Sequence, residues 1–211
     1  MRLPGRLSAA IDVLTDLETR RRPVSEALKS WGQANRFAGA GDRAAIGNLV
    51  YDALRRRASH AALMGEDSPR SLVLAVAVRD WGEEPEALSQ SFAADAHGPE
   101  PLTEAEIARL SAPAPEMPPH VAADVPEWLA PSLERAFGED WIEEGRSFSG
   151  RPSLDLRTNT LKSSRERVLK SLARFDPQPT AIAPLGVTMP AGARDARTPN
   201  VTTDEGYLKG W

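Results

Sequence analysis

The sequence predicts a mainly α-helical bundle followed by a small α+β subdomain. Three observations carry that expectation. Apolar residues recur at helical spacing through successive segments from Arg6 to Trp81. A period of two appears at Leu154–Arg157, where Leu154 and Leu156 alternate with Asp155 and Arg157. Between them, prolines at 85, 99, 101, 113, 115, 118 and 119 break regular structure. The expected organisation is a helical bundle over 1–82, a Pro/Ala/Glu-rich linker with short helices over 83–124, and a helical lead-in with the α+β subdomain over 125–211.

The first helix is expected from Arg6 to Leu17, with Leu7, Ala10, Ile11, Leu14 and Leu17 on one face. Arg20, Arg21 and Arg22 interrupt it, and Pro23 suits the first turn of a helix through Val24, Ala27, Leu28 and Trp31. Three arginines at a helix junction fit phosphate oxygens or a solvated corner. Gly39-Ala40-Gly41 reads as a turn, since no dinucleotide or P-loop fingerprint surrounds it. Asp42 is placed as the N-cap of a long helix reaching about Ala58. In that helix Ile46, Leu49, Val50, Ala53 and Leu54 face inward, and Arg55, Arg56 and Arg57 lie on or near the polar side. Ser68-Pro69 opens a further helix whose run Leu72–Val78 is apolar nearly all round, as in the centre of a bundle.

Thr103 and Glu106 form a capping box for a short helix to Leu110. Order resumes at Val125. Pro126-Glu127-Trp128-Leu129 leads into a helix with Leu133, Ala136 and Phe137, and a second short helix after Gly138 turns Trp141 and Ile142 inward. After the 154–157 strand, Thr158, Asn159 and Thr160 make a turn. Ser163 or Ser164 then caps a helix to Arg174 with Val168, Leu169 and Leu172 inside. Short strands are expected around Thr180–Ile182 and Val187–Met189.

No segment approaches the roughly 18–20 apolar residues of a spanning helix, and the start lacks a secretory pattern. A cytoplasmic location is the expectation. The chain has no cysteine, so disulfides, thiolate metal sites and cysteine nucleophiles are excluded from it. His60, His97 and His120 lack metal-ligand spacing, and Glu83-Glu84 and Glu143-Glu144 read as solvated surface. The net charge of −4 hides a segregation: residues 1–60 hold 11 basic and 6 acidic side chains, 61–150 hold 5 and 18, and 151–211 hold 10 and 6. Two basic ends flanking an acidic middle can make one positive face.

The stretch GDRAAIGNLVYDALRRRASHAALM (Gly41–Met64) resembles the D-R-x-x-x-x-x-L-V-x-x-x-L-R pattern of the NusB-like all-α domain of bacterial RNA-binding factors. That domain's closing N-A-V-L-R stretch is not recognisable, so the bundle is a reduced one. PEWLAPSLERAFGEDW followed by PSLDLRTNTLK resembles the Sun/Fmu (RsmB-like) family of RNA cytosine-5 methyltransferases, where P-x-W-L, a helix and L-R-x-N-x-x-K recur. The segment Asn200–Trp211, ending GYLKGW, resembles the family's lead-in to its catalytic domain.

That resemblance implies an S-adenosylmethionine-dependent enzyme acting on ribosomal RNA. In the family a cysteine thiolate adds to carbon 6 of cytosine before carbon 5 is methylated, and a second cysteine assists release. Without thiols this segment is expected to be inactive alone, to carry no catalytic, cofactor or metal residue, and to be followed by a carboxy-terminal catalytic domain in the full-length protein. Its implied partner is RNA, not a membrane. Arg157 and Lys162 are candidates for phosphates, and Asn159 for a base edge or its own turn backbone. Arg165 and Lys170 add charge, and Arg20, Arg21, Arg22, Arg55, Arg56 and Arg57 complete the RNA-binding candidates. No aromatic residue decorates the Leu154 strand, so sheet-type base stacking is not expected. The alternatives are a stand-alone NusB-like RNA-binding factor and a protein-interaction domain whose acidic middle meets a basic partner.

Overall fold

The computed structural model describes residues 1–194, 196, 201–202 and 204–211, and divides into two compact units, Met1–Gly150 and Arg151–Trp211. The Asn200 end of the GYLKGW segment lies outside the described residues.

The first unit is helical. Its elements are α1 (Leu3–Arg20), α2 (Val24–Ala34), α3 (Ala40–Arg55), α4 (Arg57–Met64), α5 (Pro69–Ala75), α6 (Pro85–Ala93), α7 (Glu104–Ser111), α8 (Pro119–Ala122), α9 (Ala130–Phe137) and α10 (Trp141–Phe148). α5 is the hub, as its all-round apolar sequence requires: Leu72, Val73, Leu74 and Ala75 are fully buried against Leu7 and Leu14 of α1 and Ile46 and Leu49 of α3. Ser68 caps it by accepting from the Ser71 N–H. α5 runs on into a π-helical turn at Val76–Asp80, closed by the Trp81 N–H on the Val76 carbonyl at 3.0 Å. Leu88 and Phe92 of α6, Leu102 just before α7 and Leu110 of α7 join the same core. Thr103 and Glu106 form the capping box, and Glu106 also accepts from Arg70 of α5. Asp124, in the left-handed region at φ 53°, accepts from the Ser59 N–H and hydroxyl at 2.9 and 2.6 Å, fixing α8 to α4.

Several boundaries differ from the sequence expectation. Asp42 is not the N-cap of α3. Gly39 holds that position, and Asp42, three residues on, reaches back to the Gly39 N–H at 3.1 Å. The long helix to Ala58 is two helices, because Arg56 leaves helical geometry (φ −117°, ψ 28°) and α4 restarts at a new angle that buries His60, Leu63 and Met64. Pro23 is the N-cap of α2 rather than part of its first turn.

The second unit has a three-stranded antiparallel sheet in the order β1-β3-β2, with β1 at Leu154–Arg157, β2 at Gln178–Pro179 and β3 at Gly186–Met189. Leu154 opposes Met189 and Leu156 opposes Val187. α11 (Arg165–Ser171) packs Val168, with Leu172 just beyond it, on Val187 and Met189, and Val201 closes the small core. The strand expected at Thr180–Ile182 is not there. β2 ends at Pro179, and Thr180, whose N–H still bonds to the Gly186 carbonyl at 3.2 Å, enters a turn in which its hydroxyl donates to the Ala183 carbonyl at 2.7 Å, leaving Ile182 almost wholly exposed. α12 (Glu205–Leu208) starts from Asp204, whose carboxylate accepts from the Gly206 N–H at 2.9 Å.

Candidate nucleic-acid interface

The basic candidates separate into two kinds. In the first unit five of the six arginines of the two triplets are ion-paired. Arg20 and Arg22 share Asp16, Arg55 pairs with Asp52 at 3.1 Å, Arg56 with Asp80, and Arg57 with Glu18 at 2.7 Å and Asp67 at 2.9 Å. Burial pushes the Arg57 guanidinium towards deprotonation, but Asp67 and Glu18 outweigh it and hold its pKa above the ordinary arginine value. Arg21, in the left-handed region at φ 49°, is exposed and has no ion pair among the described residues. Arg56 and Arg57 tie separate helices together, whereas Arg20 and Arg55 pair within their own helix, and each of the five has a carboxylate that offsets its charge.

In the second unit the strand, the turn and the helix each carry basic residues. Arg157 ends β1 and is exposed, with no ion pair among the described residues; the same holds for Arg165 and Lys170 of α11, of which Arg165 is half-buried. Asn159 donates from Nδ2 to the Gly210 carbonyl at 2.9 Å and accepts from the Leu161 N–H at 3.1 Å, so its amide holds its own turn and the Gly206–Trp211 end at once. Lys162 reaches the Lys209 carbonyl at 3.4 Å and stays exposed. The turn thereby clamps α12 and its extension against α11.

That clamp collects further groups. The Arg167 guanidinium stacks over the Trp211 ring at 4.1 Å, and the Lys209 ammonium lies 5.4 Å from the same ring. Two carboxylates remain charged among these cations. Asp155 is held below the usual carboxylate range by hydrogen bonds from the Thr188 and Ser153 hydroxyls. Glu166 is held there by its own backbone N–H, the Ser164 hydroxyl and Arg165. A cavity of about 450 Å³ opens between β1, α11 and α12, lined in part by Arg157, Asp204, Tyr207 and Trp211.

Sequence reasoning placed Arg157, Asn159, Lys162, Arg165 and Lys170 in this unit but passed over Arg167, Asp204, Tyr207 and Trp211. The available signal was the alternation of aromatic and basic residues in GYLKGW directly after an Asp-Glu helix start.

Comparison with known proteins bears on residues 125–193, the end of the first unit and most of the second. The model of the RsmF/B-like methyltransferase ferredoxin-like domain matches residues 125–193. The chain is 39% identical over 88 residues to the "Probable ribosomal RNA small subunit methyltransferase B" of Synechocystis sp., an alignment covering 41% of this chain and 19% of that protein. The solved structure titled "Crystal Structure of PH0851" superposes on 98% of this chain with a TM-score of 0.54 and 16% identity, using 52% of its own length, which establishes a shared fold. The chain therefore spans about a fifth of the curated relative and about half of the solved one. Residues 125–193 are thus similar to the ferredoxin-like domain of the RsmF/B-like methyltransferases.

Proposed function

We propose that this chain is the RNA-positioning amino-terminal part of an S-adenosylmethionine-dependent ribosomal RNA cytosine-5 methyltransferase, whose catalytic domain follows it in the full-length protein. The observation that carries the reading is the 39% identity to a ribosomal RNA small-subunit methyltransferase. The family-model match on residues 125–193 supports the same reading. Arg157, Arg165 and Lys170, none of them in an ion pair among the described residues, are the phosphate contacts, with Lys162 alongside. Residues 1–82 and 83–124 act as a supporting helical bundle.

The described residues do not suit S-adenosylmethionine, because none of the three strands, all antiparallel, runs through a glycine-rich loop into a helix. The chain also has no thiol to attack cytosine. Its own residues hold RNA, and the methyl transfer belongs to the following domain. No helix among the described residues is long and apolar enough to cross a membrane. RNA binding by 1–82 alone is the weaker reading, since the arginines it would need are engaged by Asp16, Asp52, Asp80, Glu18 and Asp67.

The test is the salt dependence of binding to a single-stranded fragment of small-subunit RNA, followed by fluorescence anisotropy. Each phosphate contact contributes about 0.7 to the slope of log K against log salt for a single strand. Arg157→Ala, Arg165→Ala and Lys170→Ala are each expected to flatten the slope by about that much, whereas Arg56→Ala leaves it unchanged. Unaltered slopes in all three variants would refute the assignment.

A further inference from the structure

The 450 Å³ cavity in the second unit has a composition that ordinary core gaps lack. Its floor is apolar, from Leu156, Val168 and Leu172. At its edge stand Tyr207, which is 56% exposed, and Trp211, whose ring carries Arg167 on one side. Arg157 also lines it, bringing a cation where a flanking phosphate would pass. The remaining polar wall is the carboxylate of Asp204, whose side chain is only 7% exposed.

The hydrogen bonds of Asp204 leave it an opening. Oδ1 accepts from the Ser171 hydroxyl at 3.2 Å and the Gly206 N–H at 2.9 Å. Among the described residues, Oδ2 accepts only from Arg174 Nη2, at a long 3.3 Å, and that arginine is 60% exposed. A carboxylate oxygen has room for two donors, so Oδ2 can take one more. An ionised carboxylate offers no donor, so it favours a ligand edge carrying N–H and disfavours a carbonyl edge.

Apolar floor, aromatic edge, neighbouring cations and a nearly buried acceptor together describe a seat for one unstacked base. We propose that this cavity binds a single nucleobase with an exocyclic amino group, cytosine, adenine or guanine but not uracil, from single-stranded RNA held by Arg157 and its neighbours. The amino group donates to Asp204 Oδ2, and the ring lies against Tyr207 and Trp211. Uracil presents a carbonyl at the equivalent position and meets the carboxylate unfavourably. The inference rests on the RNA-positioning reading and adds a base preference to it.

The experiment compares binding of oligocytidylate, oligoadenylate and oligouridylate hexamers to the whole chain at one salt concentration. The C and A hexamers are expected to bind about tenfold tighter than U, the scale of one well-made base contact. Trp211→Ala is expected to weaken the C hexamer about tenfold. Asp204→Asn retains a good N-cap for α12 and is expected to erase most of the C-over-U preference while keeping the slope against salt. Because either variant can loosen the unit, the unmodified chain is also titrated with cytidine and uridine monophosphate while the indole N–H resonance of Trp211 is followed. A shift with cytidine and little with uridine supports the seat. Equal hexamer affinities, or equal shifts, overturn it while leaving the phosphate contacts intact. Failure of all three hexamers to bind overturns both readings together.

Discussion

Glu106→Gln tests how the acidic middle of the chain is tied to the bundle. Glu106 Oε1 accepts from Arg70 Nε at 2.7 Å, and Oε2 accepts from Arg70 Nη2 at 3.1 Å and from the Thr103 N–H at 2.8 Å. The side chains of Arg70 and Glu106 are 27% and 18% exposed, so the pair is sheltered without being buried. Glutamine keeps one acceptor oxygen and loses the charge, leaving one arm of Arg70 and one half of the capping box unmet. Charge-assisted hydrogen bonds contribute about 1.5–3 kcal/mol and neutral ones about 1, so the expected loss is about 1–2 kcal/mol. For a unit of this size that lowers the midpoint of thermal unfolding by about 2–8 °C, read by far-ultraviolet circular dichroism.

The pH dependence adds a second constraint. Burial pushes the Glu106 carboxyl up, but Arg70 and the Thr103 backbone and hydroxyl outweigh it and hold its pKa below the ordinary value. A depressed carboxylate stabilises fully above its unfolded pKa, about 4.3 for glutamate, and less as pH falls through the folded value. The gap between the native chain and Glu106→Gln is therefore expected to be full at pH 7 and to narrow below about pH 4. A gap that is absent at pH 7, or that stays constant to pH 3, would show that the Arg70–Glu106 clasp does not act as described.

Two further expectations concern the core and the clamp. Leu110 of α7 is 1% exposed, and Leu110→Ala is expected to cost about 2–5 kcal/mol, measured by urea unfolding; a loss under about 0.5 kcal/mol would place α7 outside the core. Asn159→Ala removes the bonds to the Gly210 carbonyl and the Leu161 N–H, a loss of about 2 kcal/mol at the usual net value of about 1 for each. Hydrogen exchange at Leu161 should then speed up together with that at the α12 amides, and unchanged protection at Leu161 would sink the clamp.

What the sequence made legible follows how local each cause is. α5 could be read because a run apolar on every side has only one place to go, and the Thr103–Glu106 box because both partners lie within four residues. The start of α3 was misplaced by three positions because glycine, at the N-cap, has no side chain to announce itself; the visible signal was Asp42 reaching back. A strand is expected at Thr180–Ile182, but after Thr180, whose N–H still reaches the Gly186 carbonyl at 3.2 Å, the chain must turn back towards β3, with the Gly186 N–H on the Ala183 carbonyl. In the candidate site, the cations of the 154–170 stretch were visible as a pattern. The neutralisation of Arg56 and Arg57 was not, because Asp80 and Glu18 lie 24 and 39 residues away. Trp211 was hidden for the same reason, since Asn159 finds Gly210 across 51 residues.

The sheet order has a consequence for the time at which this unit can exist. Among the described residues β1 and β2 each pair only with β3, the last strand to be synthesised. A nascent chain leaving the ribosome at roughly 5–20 residues per second therefore carries β1 with no ladder partner until Gly186–Met189 emerges. Both edges then form on one strand in a single event, closing a loop over the helix between them. Until that moment Leu154 and Leu156 have no sheet to join, whereas the α1–α5 core of the first unit is already complete in sequence. Folding of this protein is thus ordered by translation, with the helical unit assembled first and the sheet-containing unit appearing once β3 is free.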